Sequence, residues 1–147
     1  MNLRPARHED CTALAQLNRQ SDASPWSTAQ FECTLAQTHN HIWLAENNNQ
    51  ITGFIVWQTV LDESELHLIA TAPDNRRQGI ASQLLNQLIQ AARTQNVSRI
   101  FLEVRAGNHG AQAFYHTHGF SECGRRKHYY PLTDGSREDA VLMEKSC

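Results

Sequence analysis

The segment whose composition most clearly suggests chemistry is the junction at residues 72–81, APDNRRQGIA, which joins an apolar stretch to a strongly helical one. The first amides of a helix have no partner inside it, and the aligned peptide dipoles place partial positive charge there. Such a turn can hold a pyrophosphate. Gly79 and Ala81 would keep side chains small where phosphates approach the backbone. Taken alone, the junction fits an ordinary strand-to-helix turn with exposed arginines better than a phosphate site.

A second candidate is Glu103, a carboxylate within the apolar segment IFLEVR at residues 100–105. In a strand, the period of two puts Glu103 on the same face as Phe101 and Arg105, with the aliphatic residues on the other face. A partly buried carboxylate there could act as a general base. It could instead pair with Arg105 or with a neighbouring strand and take no part in chemistry.

Two further candidates lie just after this strand. Tyr115 falls in a predicted helix, where its phenol could donate a proton to a leaving group or its ring could belong to the core. Asn108 precedes that helix and could begin it by accepting a hydrogen bond from a first-turn amide, or could bind a cofactor.

The elements that must position these residues alternate along the chain. The helix at residues 79–95 is the clearest, because its apolar residues recur at helical spacing. Residues 51–60 are rich in branched and aromatic side chains, which is typical of a strand covered on both faces. The other predicted helices are residues 8–20, 27–38 and 110–118, and the other strands are a short opening strand and residues 41–45, 65–71, 99–105, 120–130 and 138–145. We therefore expect one α/β domain over residues 1–147.

The composition excludes several classes of protein. A net charge of -2 lacks the strongly basic surface of a nucleic-acid-binding domain, so we expect no direct contact with nucleic acid. The four cysteines form no CxxC pair, so we expect free thiols, no metal site and no disulfide framework. The charged opening residues do not fit a signal peptide, and no apolar run of about 18 residues occurs. We expect a cytoplasmic protein that does not enter membranes.

Arg76, Gly79 and Ala81 match the acetyl-CoA signature of the GNAT superfamily, which is Arg or Gln, two residues, Gly, one residue, then Gly or Ala. The chain therefore resembles this superfamily. The resemblance implies a GNAT fold of α/β (α+β) class, in which a central, mixed, mostly antiparallel seven-stranded sheet has splayed middle strands and about four helices flank it. It also implies a set of residues that bind acetyl-CoA: the amides of Arg77, Gln78, Gly79, Ile80, Ala81 and Ser82 for the pyrophosphate, backbone groups of Ile69, Ala70 and Thr71 for the pantetheine, and Asn108.

The second half of the chain resembles a narrower group within this superfamily. Segments at residues 102–108, 113–120, 129–131 and 134–140 look like those of ribosomal-protein alanine N-acetyltransferases, although Ser136 is an extra residue in the last one. On this resemblance Glu103 is the proton acceptor and Tyr115 the proton donor in direct acetyl transfer. The implied acceptor is the N-terminal alanine of the eighteenth small-subunit ribosomal protein, and we expect the enzyme to be a monomer.

Substrate recognition is less constrained by the sequence. Four acidic residues could face a basic acceptor peptide or form a solvated rim: Asp62, Glu63, Glu65 and Asp134. The basic run at residues 125–127 is expected on a solvated face, and Trp26 with residues 129–131 could shape the acceptor groove or pack in the core. Two alternatives stay open. One is a GNAT enzyme for other N-termini or small amines, and the other is an acetyl-CoA sensor without catalysis.

Overall fold

A seven-stranded sheet forms the centre of the computed structural model, which describes residues 1–147. The strands are β1 (Asn2–Pro5), β2 (Asn40–Asn47), β3 (Gln50–Val60), β4 (Glu63–Thr71), β5 (Arg99–Arg105), β6 (Ser121–Pro131) and β7 (Arg137–Ser146). The helices are α1 (Cys11–Ser21), α2 (Thr28–Leu35), α3 (Ile80–Thr94) and α4 (His109–Thr117). None of these helices has both the length and the apolar run that crossing a bilayer requires.

The strand order is β1-β2-β3-β4-β5-β7-β6, and every neighbouring pair is antiparallel except β4 and β5. The predicted mixed, mostly antiparallel sheet is therefore confirmed. Helices cover both faces of the sheet. Because successive side chains of a strand point to opposite faces, a central strand contributes to the core on each side. In β3, Phe54 and Val56 pack in the cluster that contains α1 and α2, whereas Ile55 and Trp57 pack in the cluster that contains α3.

The middle strands diverge, as predicted. Strands β4 and β5 pair only where residues 63–65 of β4 meet residues 99–101 of β5. Beyond Glu65, the edge of β4 that faces β5 has no strand partner, while its other edge stays paired with β3 as far as Thr71. The sheet consequently opens between the carboxyl ends of its two parallel strands.

Helix α2 is shorter than the predicted 27–38. It begins with a capping box, in which the Ser27 hydroxyl accepts from the Gln30 amide at 3.1 Å and the Gln30 side chain accepts from the Ser27 amide at 2.7 Å. It ends at Leu35 because the chain then tightens into turns. The Gln37 amide donates to Thr34 O at 3.2 Å, and the Asn40 amide donates to Gln37 O at 3.1 Å.

Arg4 ties strand β1 to its surroundings. Its guanidinium donates to both carboxylate oxygens of Asp10, at 2.9 and 3.0 Å, and to Glu46 of β2 at 3.0 Å. Asp10 is buried, and its carboxylate also accepts from the Arg7 amide at 2.7 Å. The hydrogen bonds from Arg4 lower the pKa of Asp10 below its usual value, since they favour the charged carboxylate.

Candidate functional site

A cleft of about 920 Å³ occupies the opening between β4 and β5. Its walls come from the carboxyl ends of both strands, the start of α3, one side of α4, the end of β6 and the loop after α1. Every predicted catalytic and cofactor-binding residue lines this cleft except Gln78. The fold therefore brings the predicted phosphate turn, Glu103 and Tyr115 to one place.

The turn before α3 presents unpaired backbone donors. No amide from residue 77 to residue 82 donates to a protein acceptor, and the first amide bonded back into the turn is that of Gln83, to Gly79 O at 3.1 Å. Arg77 and Gly79 have positive φ angles of 64° and 77°. A Cβ built on Gly79 would meet no atom within 4 Å, so the space above the turn is open. A helix start with free amides and open space above it fits a pyrophosphate.

Gly53 of β3 sets how closely this turn approaches the sheet. A Cβ at Gly53 would lie 2.8 Å from Ile80 Cγ2 and 2.9 Å from Ala70 O. The missing side chain thus lets the first residue of α3 and the open edge strand β4 pack against β3 at once. Gly53 was not among the residues singled out from the sequence.

Glu103 lies on the cleft face of β5, as the strand period predicts. Its neighbours Leu102 and Val104 are buried on the opposite face, while the Glu103 side chain is 19% exposed. No protein hydrogen bond reaches its carboxylate, and its one ion pair joins Oε1 to Arg126 Nε at 3.1 Å. Of the alternative pairings considered for Glu103, the one with Arg105 does not form, and the carboxylate pairs instead with a residue of another strand, β6. The basic run of residues 125–127 is exposed, as expected, and Arg126, whose side chain is 54% exposed, also reaches Glu103.

Tyr115 is both a core residue and a cleft residue. It is buried, and its ring lies 5.4 Å from that of Phe114 and 5.9 Å from that of Phe120, measured between centroids. Its hydroxyl makes no hydrogen bond to the protein, and the residue lines the cleft. Burial raises the pKa of Tyr115 to about 12, with a smaller contribution from Tyr130. The phenol is therefore protonated at physiological pH, as a proton donor must be.

Asn108 caps α4. Its Oδ1 accepts from the Ala111 amide at 3.1 Å, while its Nδ2 has no protein partner and the residue lines the cleft. Gln112 holds the preceding loop, because its Nε2 donates to Arg105 O at 3.1 Å and to Ala106 O at 2.9 Å. The two roles considered for Asn108 are thus compatible, since the cap uses only the oxygen.

An irregularity in β6 brings Tyr130 to the cleft. The pairing of β6 with β7 shifts register between Arg126 and Tyr130, and His128 there has a φ of 54° and an amide that donates to Asp139 Oδ1 at 3.0 Å. Burial raises the pKa of Tyr130, and the nearby Glu103 carboxylate raises it further. Tyr130 and Pro131 line the cleft, but Tyr129 does not. Trp26 does not line it either, and its ring packs 5.3 Å from that of Phe31.

The four acidic residues considered for peptide binding lie outside the cleft. The Asp62 carboxylate accepts from Ser98 Oγ at 3.0 Å, and that of Glu63 accepts from Arg99 Nε at 3.0 Å. Asp134 accepts from the amide of the extra residue, Ser136, at 2.9 Å and thereby closes the β6–β7 turn. The acidic residue that joins Glu103 in lining the cleft is Asp22, in the loop after α1.

The four cysteines are free, and none lines the cleft. No group of three or more His, Cys, Asp or Glu residues is placed to hold a metal ion.

Comparison with known proteins identifies the family. The profile described as Acetyltransferase (GNAT) family matches residues 11–120. The chain is 39% identical over 134 residues to a [ribosomal protein bS18]-alanine N-acetyltransferase of Escherichia coli (strain K12), which covers 91% of this chain and 89% of the relative. It is 38% identical to the protein of the same name from Haemophilus influenzae, over 91% of this chain and 90% of the relative.

A solved structure agrees. The crystal structure of the ribosomal-protein-S18-alanine N-acetyltransferase from Escherichia coli superposes with a TM-score of 0.92 at 35% identity, and the match covers 99% of this chain and 92% of that one. The fold predicted from the resemblance is confirmed. The chain belongs to the GNAT family of acetyltransferases.

Proposed function

We propose that this enzyme transfers the acetyl group of acetyl-CoA to the N-terminal alanine of the eighteenth small-subunit ribosomal protein, in the cytoplasm. The observation that carries the proposal is the single cleft that joins the amide-rich turn before α3 to Glu103 and Tyr115. The names of relatives that are similar over about nine-tenths of the chain support the choice of acceptor.

Acetyl-CoA supplies the acetyl group as a thioester, and the chain offers two sets of groups to hold it. The free amides of residues 77–82 suit its pyrophosphate, and Gln78 contributes only through its backbone in this scheme. The unpaired edge of β4 at Ile69, Ala70 and Thr71 can bond an extended chain as an added strand would. An amide near the end of this edge would stabilise negative charge on the thioester oxygen. The free Nδ2 of Asn108 can donate to the same molecule.

Glu103 is the proposed general base. It would accept a proton from the N-terminal amine, directly or through water, as that amine bonds to the acetyl carbon. An α-amine with a pKa of about 8 costs only about 1.4 kcal/mol to deprotonate at pH 7, against about 4.6 kcal/mol for a lysine near 10.4. One partly exposed carboxylate is therefore sufficient for an N-terminus.

Tyr115 is the proposed general acid. Its protonated phenol would give a proton to the thiolate sulfur as the carbon–sulfur bond breaks. Because no cysteine lines the cleft, the transfer is proposed to be direct, without an acyl-enzyme.

The test compares three acceptors with acetyl-CoA: a synthetic hexapeptide that begins Ala-Arg, free spermidine, and a lysine peptide with a blocked N-terminus. Mass spectrometry should find one added acetyl group on the hexapeptide alone. Acetylation of spermidine or of the blocked peptide instead would favour a GNAT enzyme for other amines. Binding of acetyl-CoA with no acetylation of any acceptor would favour a sensor.

A further inference from the structure

We infer that Arg126 is a positioning residue for Glu103, an inference that rests on the proposed function. The Glu103 carboxylate receives no protein hydrogen bond, so its ion pair with Arg126 is its one polar contact. The closest approach is between Arg126 Nε and Glu103 Oε1, at 3.1 Å. Arg126 thus fixes the carboxylate from one side, and no protein hydrogen bond competes with the acceptor amine for it.

The strand order explains how Arg126 of β6 reaches Glu103 of β5 across the intervening strand β7. Glu103 pairs with Leu142 of β7, whereas Arg105 and Arg126 both pair with Ala140, from opposite sides of that strand. Residues in register across strands point to the same face, so Arg126 and Glu103 share the cleft face. At Ala140 only a methyl group lies between β6 and β5, and it is fully buried. The long Arg126 side chain can therefore cross β7 and reach the carboxylate.

The guanidinium of Arg126 is held from a second side. It lies 5.3 Å from the centroid of the Tyr129 ring, in a cation–π contact. Tyr129 in turn packs edge-on against Tyr130, with centroids 5.1 Å apart, and Tyr130 lines the cleft. The irregular segment of β6 thus fixes both an aromatic wall of the cleft and the cation that orients the base.

The charge of Arg126 also acts on the acceptor. A cation beside the reacting atoms disfavours the ammonium form of an incoming amine, and the neutral amine is the form that attacks. The other titratable groups that line this part of the cleft are Arg105 on the same strand, Tyr115, Tyr130 and His67.

The experiment is a double-mutant cycle with a matched control. Arg126→Gln should lower kcat/KM for the Ala-Arg hexapeptide by about tenfold, mainly through kcat, and leave acetyl-CoA affinity unchanged. Arg126→Lys should restore only part of the rate, since lysine keeps the charge but lacks the planar guanidinium. Arg125→Gln is the control, because Arg125 lies one residue away and pairs with Glu122 at 2.8 Å.

In a Glu103→Gln background, Arg126→Gln should change kcat/KM by no more than about twofold, because no base is left to position. An equal penalty in both backgrounds would show that Arg126 acts independently of Glu103 and would overturn the inference. The inference would also be overturned if Arg126→Gln and Arg125→Gln had equal kcat/KM values while Glu103→Gln was impaired. Wild-type turnover of Glu103→Gln would instead overturn the proposed base itself, and this inference with it.

Discussion

Replacing Gly53 by alanine tests whether packing beneath the turn before α3 controls acetyl-CoA binding. Ordinary van der Waals contact begins near 3.4 Å, so the added Cβ would be 0.6 Å too close to Ile80 Cγ2 and 0.5 Å too close to Ala70 O. The second overlap involves backbone and cannot be relieved by a side-chain rotation. Overpacking of this kind costs about 1–3 kcal/mol. The melting temperature should therefore fall by about 3–10 °C.

The same overlap acts on both proposed acetyl-CoA contacts, because Ile80 starts α3 and Ala70 lies on the open edge of β4. If about 1.4 kcal/mol of this strain weakens the two acetyl-CoA contacts, the Kd for acetyl-CoA rises about tenfold. Thermal unfolding and isothermal titration calorimetry measure the two effects. Gly110→Ala is the matched control, because a Cβ there meets nothing within 4 Å. Equal melting temperatures and equal affinities in the two variants would refute the reasoning.

Three further substitutions test separate parts of the account. Glu103→Gln should lower kcat at pH 7 by about 100-fold with acetyl-CoA affinity kept, and wild-type turnover across the pH range would exclude the base. Tyr115→Phe should lower kcat about tenfold. Because burial raises the pKa of Tyr115 to about 12, its phenol stays protonated up to about pH 10, and any loss of wild-type rate as the pH rises to 10 should come from another group. Arg4→Met should cost about 2 kcal/mol of unfolding free energy at pH 7, since it leaves buried Asp10 unpaired. Because Arg4 lowers the pKa of Asp10, this stabilisation is present above the usual carboxyl pKa and should be lost on acidification. Urea unfolding should therefore differ less between the variant and the wild type below about pH 4.

Local patterns were sufficient to predict most of the fold. The apolar period of α3 and the doubly covered strand β3 were both recognised, because each depends on neighbouring residues alone. The end of α2 was missed, since the turn-forming hydrogen bonds after Leu35 leave no clear sequence signal. The splay of β4 and β5 followed from family resemblance, because divergence of two strands depends on the whole sheet.

The residues of the candidate site also include some that the sequence indicates and others that only the tertiary structure shows. The turn before α3 and Glu103 could be placed on predicted elements from the sequence, and the family resemblance then identified them as site residues. Arg126 could not be identified in this way, because its approach to Glu103 depends on pairing across β7 and on a register shift in β6. The role of Gly53 was missed for a similar reason, since a glycine in an apolar strand does not reveal that a helix start and a neighbouring strand both press against it.

The most direct test of the proposed function uses the intact eighteenth small-subunit ribosomal protein with a free N-terminal alanine. The enzyme and acetyl-CoA are added, and tandem mass spectrometry locates any added acetyl group. The wild-type enzyme should place a single acetyl group on the α-amine of the alanine, and Glu103→Gln should strongly reduce this product. Acetyl groups on lysine side chains alone, or an unmodified protein in the presence of an enzyme that binds acetyl-CoA, would contradict the proposed function.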